Sequence, residues 1–251
     1  MLDCEKLLQD LSPFHDSIIL VGGWVPYVYM RDLWKQDIPN VRMTKDIDVA
    51  IRSGMKYQVR IQDVLAKKGY PMKHAELGLL KPYQFILRLE KQDIKIDFLG
   101  DIAEEGLLRK CVLGDEVIFN TFNGFNFVLT DPVEIKTGWG KFYVPRPERY
   151  LAFKGNVFLE EPVKRQRDIA MVYFCFSRCR KKDDLESSLK NIGSEPLVRS
   201  VVKGLKTVFK HSGSPVVLNI RNSLSTFGFY DADEEIYEEM KRFIRCCEGS
   251  L

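Results

Sequence analysis

Residues 44–51 read TKDIDVAI, and this segment carries the clearest fold signal of the chain. Side chains alternate between the two faces of a β-strand, so Asp46 and Asp48 would share one face and the aliphatic residues the other. Because two residues of strand advance by about 6.6 Å, both carboxylates can converge on a single ion. The pattern predicts a strand anchored by its apolar face. Taken alone, it also suits a solvated strand face with unrelated acids.

A second strand-like stretch, residues 93–98, repeats the pattern as DIKIDF. Burial of its isoleucines and phenylalanine would leave Asp97 on the opposite face as a third carboxylate. Three carboxylates within about 5 Å of one another would repel by roughly 3 kcal/mol per pair at an effective dielectric constant of about 20. Such a cluster needs a cation or a raised pKa, and hard oxygen ligands suit Mg²⁺ or Mn²⁺ on a triphosphate. The predicted metal ligands are therefore Asp46, Asp48 and Asp97.

A glycine pair, Gly22-Gly23, follows the apolar stretch 18–21 and precedes a predicted helix over 24–33. Glycines at this place let the backbone approach a phosphate closely, and the first N–H groups of the helix can donate to it. A glycine pair is also common in ordinary turns. The pair is a candidate phosphate-binding turn.

The remaining pattern divides the chain near residue 145. Before it we expect a strand over 18–21, helices over 2–12 and 57–68, a hairpin of 83–89 with 93–99, a hairpin of 116–122 with 125–129 around Asn123-Gly124, and a strand at 142–144. After it we expect helices over 148–158, 163–182, 183–191, 195–210 and 232–247. The predicted fold class is α+β, with a mixed β-sheet domain flanked by helices at 1–145 and a mainly helical domain at 146–251.

The composition is that of an ordinary folded protein. Of the 251 residues, 45% are hydrophobic and 12% aromatic, and the net charge of +3 is too small to indicate a surface that coats nucleic acid. The longest nearly apolar run, 18–30, is too short to span a bilayer, and the N-terminus lacks the pattern of a secretory signal. We therefore expect a cytoplasmic protein with no membrane segment. The six cysteines lack the spacing of a disulfide framework, so reduced thiols are expected.

The order of these features resembles a known superfamily. A strand, Gly-Gly, a helix, a loop, Asp-x-Asp on a strand and a later Asp on a neighbouring strand are similar to the DNA polymerase beta-type nucleotidyltransferases. Within that superfamily, Gly22-Gly23 together with the residues 42–48, RMTKDID, resembles the AbiEii-type nucleotidyltransferases, many of which are toxins of type IV toxin-antitoxin systems. The resemblance covers roughly residues 17 to 175.

The resemblance implies roles for further residues. Lys154, on a predicted helix, would contact the nucleotide, and Asp168 would belong to the site. On its own chemistry, Asp168 could hold Lys154 or pair with Lys164 or Arg165 on its own helix. Phosphate contacts are also expected from Gly22 and Gly23, and from the residues beside the acidic pair, which are Arg42, Thr44 and Lys45. Arg42 and Lys45 could equally be local charge partners of the acids.

The function implied is metal-dependent transfer of a nucleoside monophosphate from a nucleoside triphosphate to an acceptor hydroxyl. The acceptor would be tRNA or another RNA, and an antitoxin protein is a possible partner. A small hydroxylated acceptor, as in antibiotic-modifying members, and a catalytically silent nucleotide- or partner-binding protein are the alternatives. A basic cluster, residues 178–182, together with Lys164, Arg165 and Arg167, could contact an RNA backbone or simply complement a helix end.

Overall fold

A mixed β-sheet forms the core of the N-terminal part. The computed structural model describes residues 2–16, 18–36, 46–51, 61–69, 72–73, 84–88, 93–101, 120–122 and 124–249, and within these ranges eight strands pair. They are β1 (Ile18–Val21), β2 (Ile47–Ile51), β3 (Met72–Lys73), β4 (Gln84–Arg88), β5 (Asp93–Asp101), β6 (Asn120–Phe122), β7 (Val133–Thr137) and β8 (Gly140–Val144). Their order is β3-β4-β5-β2-β1-β8-β7, and β6 pairs with the end of β5. This order puts β2 in the middle of the sheet.

The central strands show the burial that their sequences predict. All four residues of β1 are buried, as expected for an apolar strand that is covered on both faces. In β2, Ile47 and Val49 are fully buried, whereas Asp48 between them is half-buried. Strand β2 runs antiparallel to β1 and parallel to β5. The predicted strands at 18–21 and 46–51, and the predicted hairpin of β4 with β5, are confirmed.

The helices of the N-terminal part are short. They are α1 (Leu2–Leu11), a 3₁₀ turn (Ser12–Phe14), a second 3₁₀ turn (Gly22–Trp24), α2 (Val25–Val28), a π-helical turn (Tyr29–Leu33), α3 (Ile61–Lys67) and α4 (Phe125–Leu129). The helix predicted over 24–33 is therefore present but irregular. The predicted loop at 35–44 lies mostly outside the described residues.

The hairpin predicted around Asn123-Gly124 is wrong. Residues 125–129 form helix α4, and β6 pairs in parallel with β5. Gly124 has a φ of +70°, and its carbonyl accepts a 3.1 Å hydrogen bond from the Phe127 N–H, which starts a helical turn. Phe125 and Val128, three residues apart, are both buried, so burial at helical spacing prevails over the turn signal.

A hairpin that the sequence analysis missed lies directly before the helical part. Strand β7 pairs antiparallel with β8, of which only 142–144 was predicted. The turn between them is closed by Thr137, whose hydroxyl donates to the Gly140 carbonyl at 2.9 Å and accepts from the Trp139 N–H at 3.1 Å. The two-residue loop Gly138-Trp139 has glycine in its first position, a hairpin signal that the sequence analysis did not use.

The chain divides into two compact units. The first comprises Met1–Val25 and Arg42–Pro145, and the second Pro26–Val41 and Arg146–Leu251. The described residues 26–36 are thus grouped with the helical unit, whereas a single domain was expected for 1–145. No helix of the described chain is long and apolar enough to cross a membrane.

Six helices form most of the second unit. They are α5 (Pro147–Glu160), α6 (Gln166–Arg178), α7 (Lys182–Asn191), α8 (Pro196–Val208), α9 (Pro215–Ser225) and α10 (Asp233–Cys247). Helix α6 is its centre, because every residue from Asp168 to Phe176 is buried. Helix α9 was not predicted; the other five are confirmed, and the predicted fold class is confirmed with them.

Candidate active site

Two acids lie side by side in the middle of the sheet. In the parallel pairing of β2 with β5, Asp48 is directly opposite Asp97, and in the antiparallel pairing of β1 with β2 it is opposite Val21. Directly opposed residues of paired strands point to the same face, and neighbouring strands are about 4.8 Å apart. Both acids are half-buried. The sheet register therefore places the two carboxylates next to each other, as the sequence analysis predicted for Asp48 and Asp97.

The Asp48 carboxylate also lies against the glycine turn. Gly22, the residue after β1, has a φ of +71°, which side-chain-bearing residues rarely adopt. A Cβ atom at Gly22 would lie 1.8 Å from Asp48 Oδ2 and 2.5 Å from its Cγ. The carboxylate thus occupies the space that any side chain at position 22 would need. Both the backbone angle and the close approach require glycine here.

Asp46, unlike Asp48, lies outside the paired part of strand β2. It forms a bend, and strand pairing begins only at the next residue, Ile47, so strand alternation does not constrain it. Among the described residues, no group of three or more His, Cys, Asp or Glu side chains is arranged to hold a metal ion. The structure therefore brings Asp48 and Asp97 together but does not gather Asp46 with them into a three-carboxylate group. Arg42, Thr44 and Lys45 lie outside the described residues.

Two tryptophans pack at the far end of the glycine turn. Trp24 ends the 3₁₀ turn that includes Gly22 and Gly23, and its ring meets that of Trp139 edge-on, with centroids 6.1 Å apart. Both rings are almost fully buried. Trp139 comes from the β7–β8 turn, so the hairpin that the sequence analysis missed supports the turn beside Asp48.

In the helical unit, Lys154 and Asp168 form a close ion pair. Lys154 Nζ of α5 donates to Asp168 Oδ1 of α6 at 2.6 Å, and the two side chains are only 15% and 10% exposed. Asp168 lies in the first turn of α6, where the helix dipole favours a negative charge. Lys164 and Arg165, the other proposed partners of Asp168, pair with Glu161 instead. Of the two predicted arrangements, the structure therefore has the one in which Asp168 holds Lys154.

Two buried tyrosines and a buried glutamate lie in the same part of the helical unit as this pair. Lys154 Nζ lies 5.8 Å from the centre of the Tyr150 ring, which meets the Tyr29 ring edge-on at 5.7 Å. Burial raises the pKa of the Tyr29 hydroxyl well above its usual value, and the nearby Cys175 and Glu148 raise it further. Glu148 is itself only 8% exposed. The sequence analysis did not select Glu148; the signal available was an acid in the first turn of a predicted helix.

Two residues of the basic cluster at 178–182, Arg178 and Lys182, form ion pairs within the helical unit. Arg178 pairs with the carboxylate of Asp231, and Lys182 donates to Glu239 and to the Phe176 carbonyl, each at 2.6 Å. Lys182 also lies 3.6 Å from the centre of the Phe176 ring. These contacts stabilise the helix ends, which is the structural alternative that the sequence analysis had left open.

The cysteines described in the helical unit are buried free thiols. Burial raises the pKa of Cys175 and brings that of Cys179 to about 11, so both remain protonated. With no described metal-holding group beside them, they are small apolar parts of the core.

Two neighbouring acids beside a glycine turn in a mixed sheet are the arrangement that the resemblance to the nucleotidyltransferases implies. A family model described as nucleotidyltransferase matches residues 3–192, and the chain belongs to this family. The match spans both the acids of the sheet and the Lys154–Asp168 pair.

Other comparisons are more distant. The chain is similar to the crystal structure of an antigenic nucleotidyltransferase-like protein from Paracoccidioides brasiliensis, with 13% sequence identity and a TM-score of 0.42. The similarity covers 80% of this chain and 92% of that chain. No curated protein matches the sequence significantly.

Proposed function

We propose that this protein is a metal-dependent nucleotidyltransferase that moves a nucleoside monophosphate from a nucleoside triphosphate to an acceptor hydroxyl. The observation that carries the proposal is the register of β2 with β5, which sets Asp48 beside Asp97 while Asp48 lies against Gly22. Two neighbouring carboxylates next to a bare backbone turn are suited to a cation and a phosphate at the same place.

Asp48 and Asp97 fit the donor chemistry of Mg²⁺ or Mn²⁺, because both ions prefer carboxylate oxygens. Asp46 is proposed as a third ligand on the resemblance to the superfamily and on its place two residues before Asp48, because the described structure does not itself gather it with the other two acids. When bound, the ion would neutralise the triphosphate and stabilise the attacking and leaving oxygens.

The residues of the chain have separate tasks in this proposal. The backbone at Gly22 and Gly23 leaves room for a phosphate to approach closely, and Arg42, Thr44 and Lys45 make further contacts with that phosphate. Asp97 takes the proton of the acceptor hydroxyl while the hydroxyl oxygen forms its bond to the α-phosphorus. The bond from that phosphorus to the bridging oxygen breaks, and pyrophosphate leaves.

We assign the nucleotide-contacting role to Lys154 and a positioning role to Asp168. The 2.6 Å ion pair fixes the Lys154 ammonium in one orientation, which lowers the entropic cost of presenting it to a phosphate. Support for these roles comes from this pairing and from the resemblance of the α5 and α6 segments to the superfamily.

The test is transfer of a labelled nucleotide by Asp48→Asn and Asp97→Asn variants. We expect each to lose activity at least about a hundredfold, because a metal-ligand set has lost a charged donor. The melting temperature should stay equal or rise, because the repulsion between two close carboxylates is relieved.

Glu134→Gln is the matched control, since this acid lies exposed on the outer strand β7 and should leave transfer unchanged. Full transfer by both aspartate variants would refute the proposal. If the wild-type protein bound the nucleotide but released no pyrophosphate, the catalytically silent alternative would hold instead.

For the acceptor we propose RNA, such as tRNA, on the resemblance to AbiEii-type proteins, which would also add an antitoxin partner. A small hydroxylated acceptor is the second candidate, and one observation favours it: Arg178 and Lys182 are paired with acids and so contribute little to an RNA-binding surface. Incubation with labelled nucleotide and either total RNA or an aminoglycoside distinguishes the two. Labelling of RNA should also fall steeply as salt is raised, whereas labelling of a small acceptor should change little.

A further inference from the structure

The helical unit contains a cleft that the proposed transfer reaction does not use. Its volume is about 410 Å³, which is within the range of small-molecule sites. The cleft lies where the residues after α8 and the start of α9 meet the loop between α5 and α6. Apolar side chains form much of its wall, among them Phe158, Val208 and Val216. Val163, also in the wall, is 84% exposed and leaves an apolar surface at the edge.

Ser214 gives the cleft an unusual polar group. The residue lines the cleft and is 3% exposed, and its Oγ atom is buried with no hydrogen-bond partner among the described residues. Ser214 is the N-cap of α9, where a serine hydroxyl normally accepts from a first-turn N–H, yet this cap bond is not made. Leaving a buried hydroxyl without a partner costs free energy, so a partner supplied by a ligand would remove that cost.

The same end of the cleft is electropositive. Helix α9 has 11 residues and begins at Pro215, which has no N–H, and the Val217 and Leu218 N–H groups donate to the Ser214 carbonyl at 3.0 and 3.2 Å. The Val216 N–H is therefore the first-turn donor available to a ligand, and the positive end of the helix dipole lies in this region. Lys210 and His211 precede the helix and also line the cleft. An anionic group bound there would meet the helix terminus, the Lys210 ammonium and the Ser214 hydroxyl together.

We propose that this cleft binds a small organic anion, a phosphate or carboxylate that carries an aromatic or aliphatic body. The anionic group would accept from the Ser214 hydroxyl and the α9 terminus, and the body would pack on Phe158, Val208 and Val216. All of the lining residues belong to the helical unit and none has been assigned a role in transfer, so the proposal does not depend on nucleotide transfer.

Phenyl phosphate and benzoate are suitable probes, because each joins a ring to one kind of anion. Calorimetry on the full-length protein measures their affinities, and the amide signals of Ser214 and Val216 report the place of binding. Phenol and inorganic phosphate test the ring and the anion separately. The variants are Ser214→Ala and Lys210→Gln. Their matched controls are Ser200→Ala and Lys203→Gln, exposed residues of α8 that do not line the cleft.

We expect at least one organic anion to bind and to shift both amide signals, with phenol and inorganic phosphate at least about tenfold weaker. Each cleft variant should weaken binding about tenfold, as expected for a lost hydrogen bond or charge contact to an anion, while the controls bind as wild type. Ser214→Ala should fold normally because its hydroxyl makes no cap bond, and Lys210→Gln is an independent second variant. Absence of binding by both organic anions up to about 10 mM would overturn the proposal. Unchanged affinity in both cleft variants, or phenol or inorganic phosphate binding as tightly as the organic anions, would overturn it as well.

Discussion

Substitution of Gly22 by alanine should destabilise the sheet unit through two separable effects. The first is backbone strain, because an alanine must adopt the φ of +71° that glycine has here. The second is a collision, because the new Cβ would lie 1.8 Å from Asp48 Oδ2 and 2.5 Å from its Cγ. Both effects act at the proposed phosphate turn, so the substitution also displaces the Asp48 carboxylate.

The two effects have different magnitudes. The left-handed backbone costs a non-glycine residue about 1–2 kcal/mol. Forcing the carboxylate and the turn apart adds about 1–3 kcal/mol, the usual cost of overpacking. We therefore expect Gly22→Ala to lower the free energy of unfolding by about 3 kcal/mol. In an Asp48→Ala background the carboxylate is gone, and only the Cβ atom of residue 48 remains, 2.7 Å from a Cβ at position 22. The stability loss caused by Gly22→Ala should therefore be smaller there by about 1–2 kcal/mol.

Urea unfolding of the four proteins of this double-mutant cycle gives the interaction energy. Gly69→Ala is the control, because Gly69 has a φ of +85° but open space around it, so only the backbone strain of about 1–2 kcal/mol should appear. If Gly22→Ala cost no more than Gly69→Ala, or cost the same with and without the Asp48 carboxylate, the carboxylate would not occupy the space above Gly22. A phosphate at the glycine turn and a metal ion at Asp48 would then not share one site.

Two further predictions concern the helical unit. Lys154→Met removes the ion-pair partner of the Asp168 carboxylate, which is only 10% exposed, so the free energy of unfolding in urea should fall by about 3 kcal/mol. The double variant Lys154→Met, Asp168→Leu should lose less stability than the sum of the two single changes. Strictly additive losses would contradict the ion pair. Burial and the hydrogen bond to Asp231 raise the pKa of Tyr173, so the folded protein keeps this proton after the unfolded chain begins to lose it near pH 10. Stability should therefore fall as the pH rises above about 10, and Tyr173→Phe should make that fall shallower by up to about 1.4 kcal/mol per pH unit in urea unfolding between pH 8 and 11. An unchanged slope would show that Tyr173 does not contribute.

The elements that carry the candidate site could be predicted from short stretches. The apolar run of β1 and the alternation of β2 and β5 are local properties of strands, and all three strands are present. Where a local signal competes with burial, the prediction failed. Asn123-Gly124 is a strong hairpin signal, yet Phe125 and Val128 are both buried by a helical turn. The β7–β8 hairpin was missed although Val133–Thr137 alternates between apolar and polar residues, because the sequence analysis recognised only the residues 142–144 of this pair as extended.

The grouping of the acids could be predicted only in part. Alternation placed Asp46 and Asp48 on one face, but this argument holds only inside a paired strand, and pairing starts at Ile47. Alternation also could not reveal that Asp48 lies opposite Asp97, because the two strands are almost fifty residues apart and several registers would bury their apolar faces equally well. The choice among registers is made by the packing of the whole sheet.

Local sequence is enough to specify strands β1, β2 and β5 with their buried faces, the glycine turn, the acids on these strands and the helical character of the second half. These follow from backbone geometry and side-chain periodicity within a few residues. Three features depend on the folded arrangement: Asp48 adjoins Asp97 and Gly22, Asp168 pairs with Lys154 rather than with Lys164 or Arg165, and the Ser214 hydroxyl is buried with no hydrogen-bond partner among the described residues. Each of these depends on contacts between segments far apart in the chain, which form only when the apolar faces are buried together.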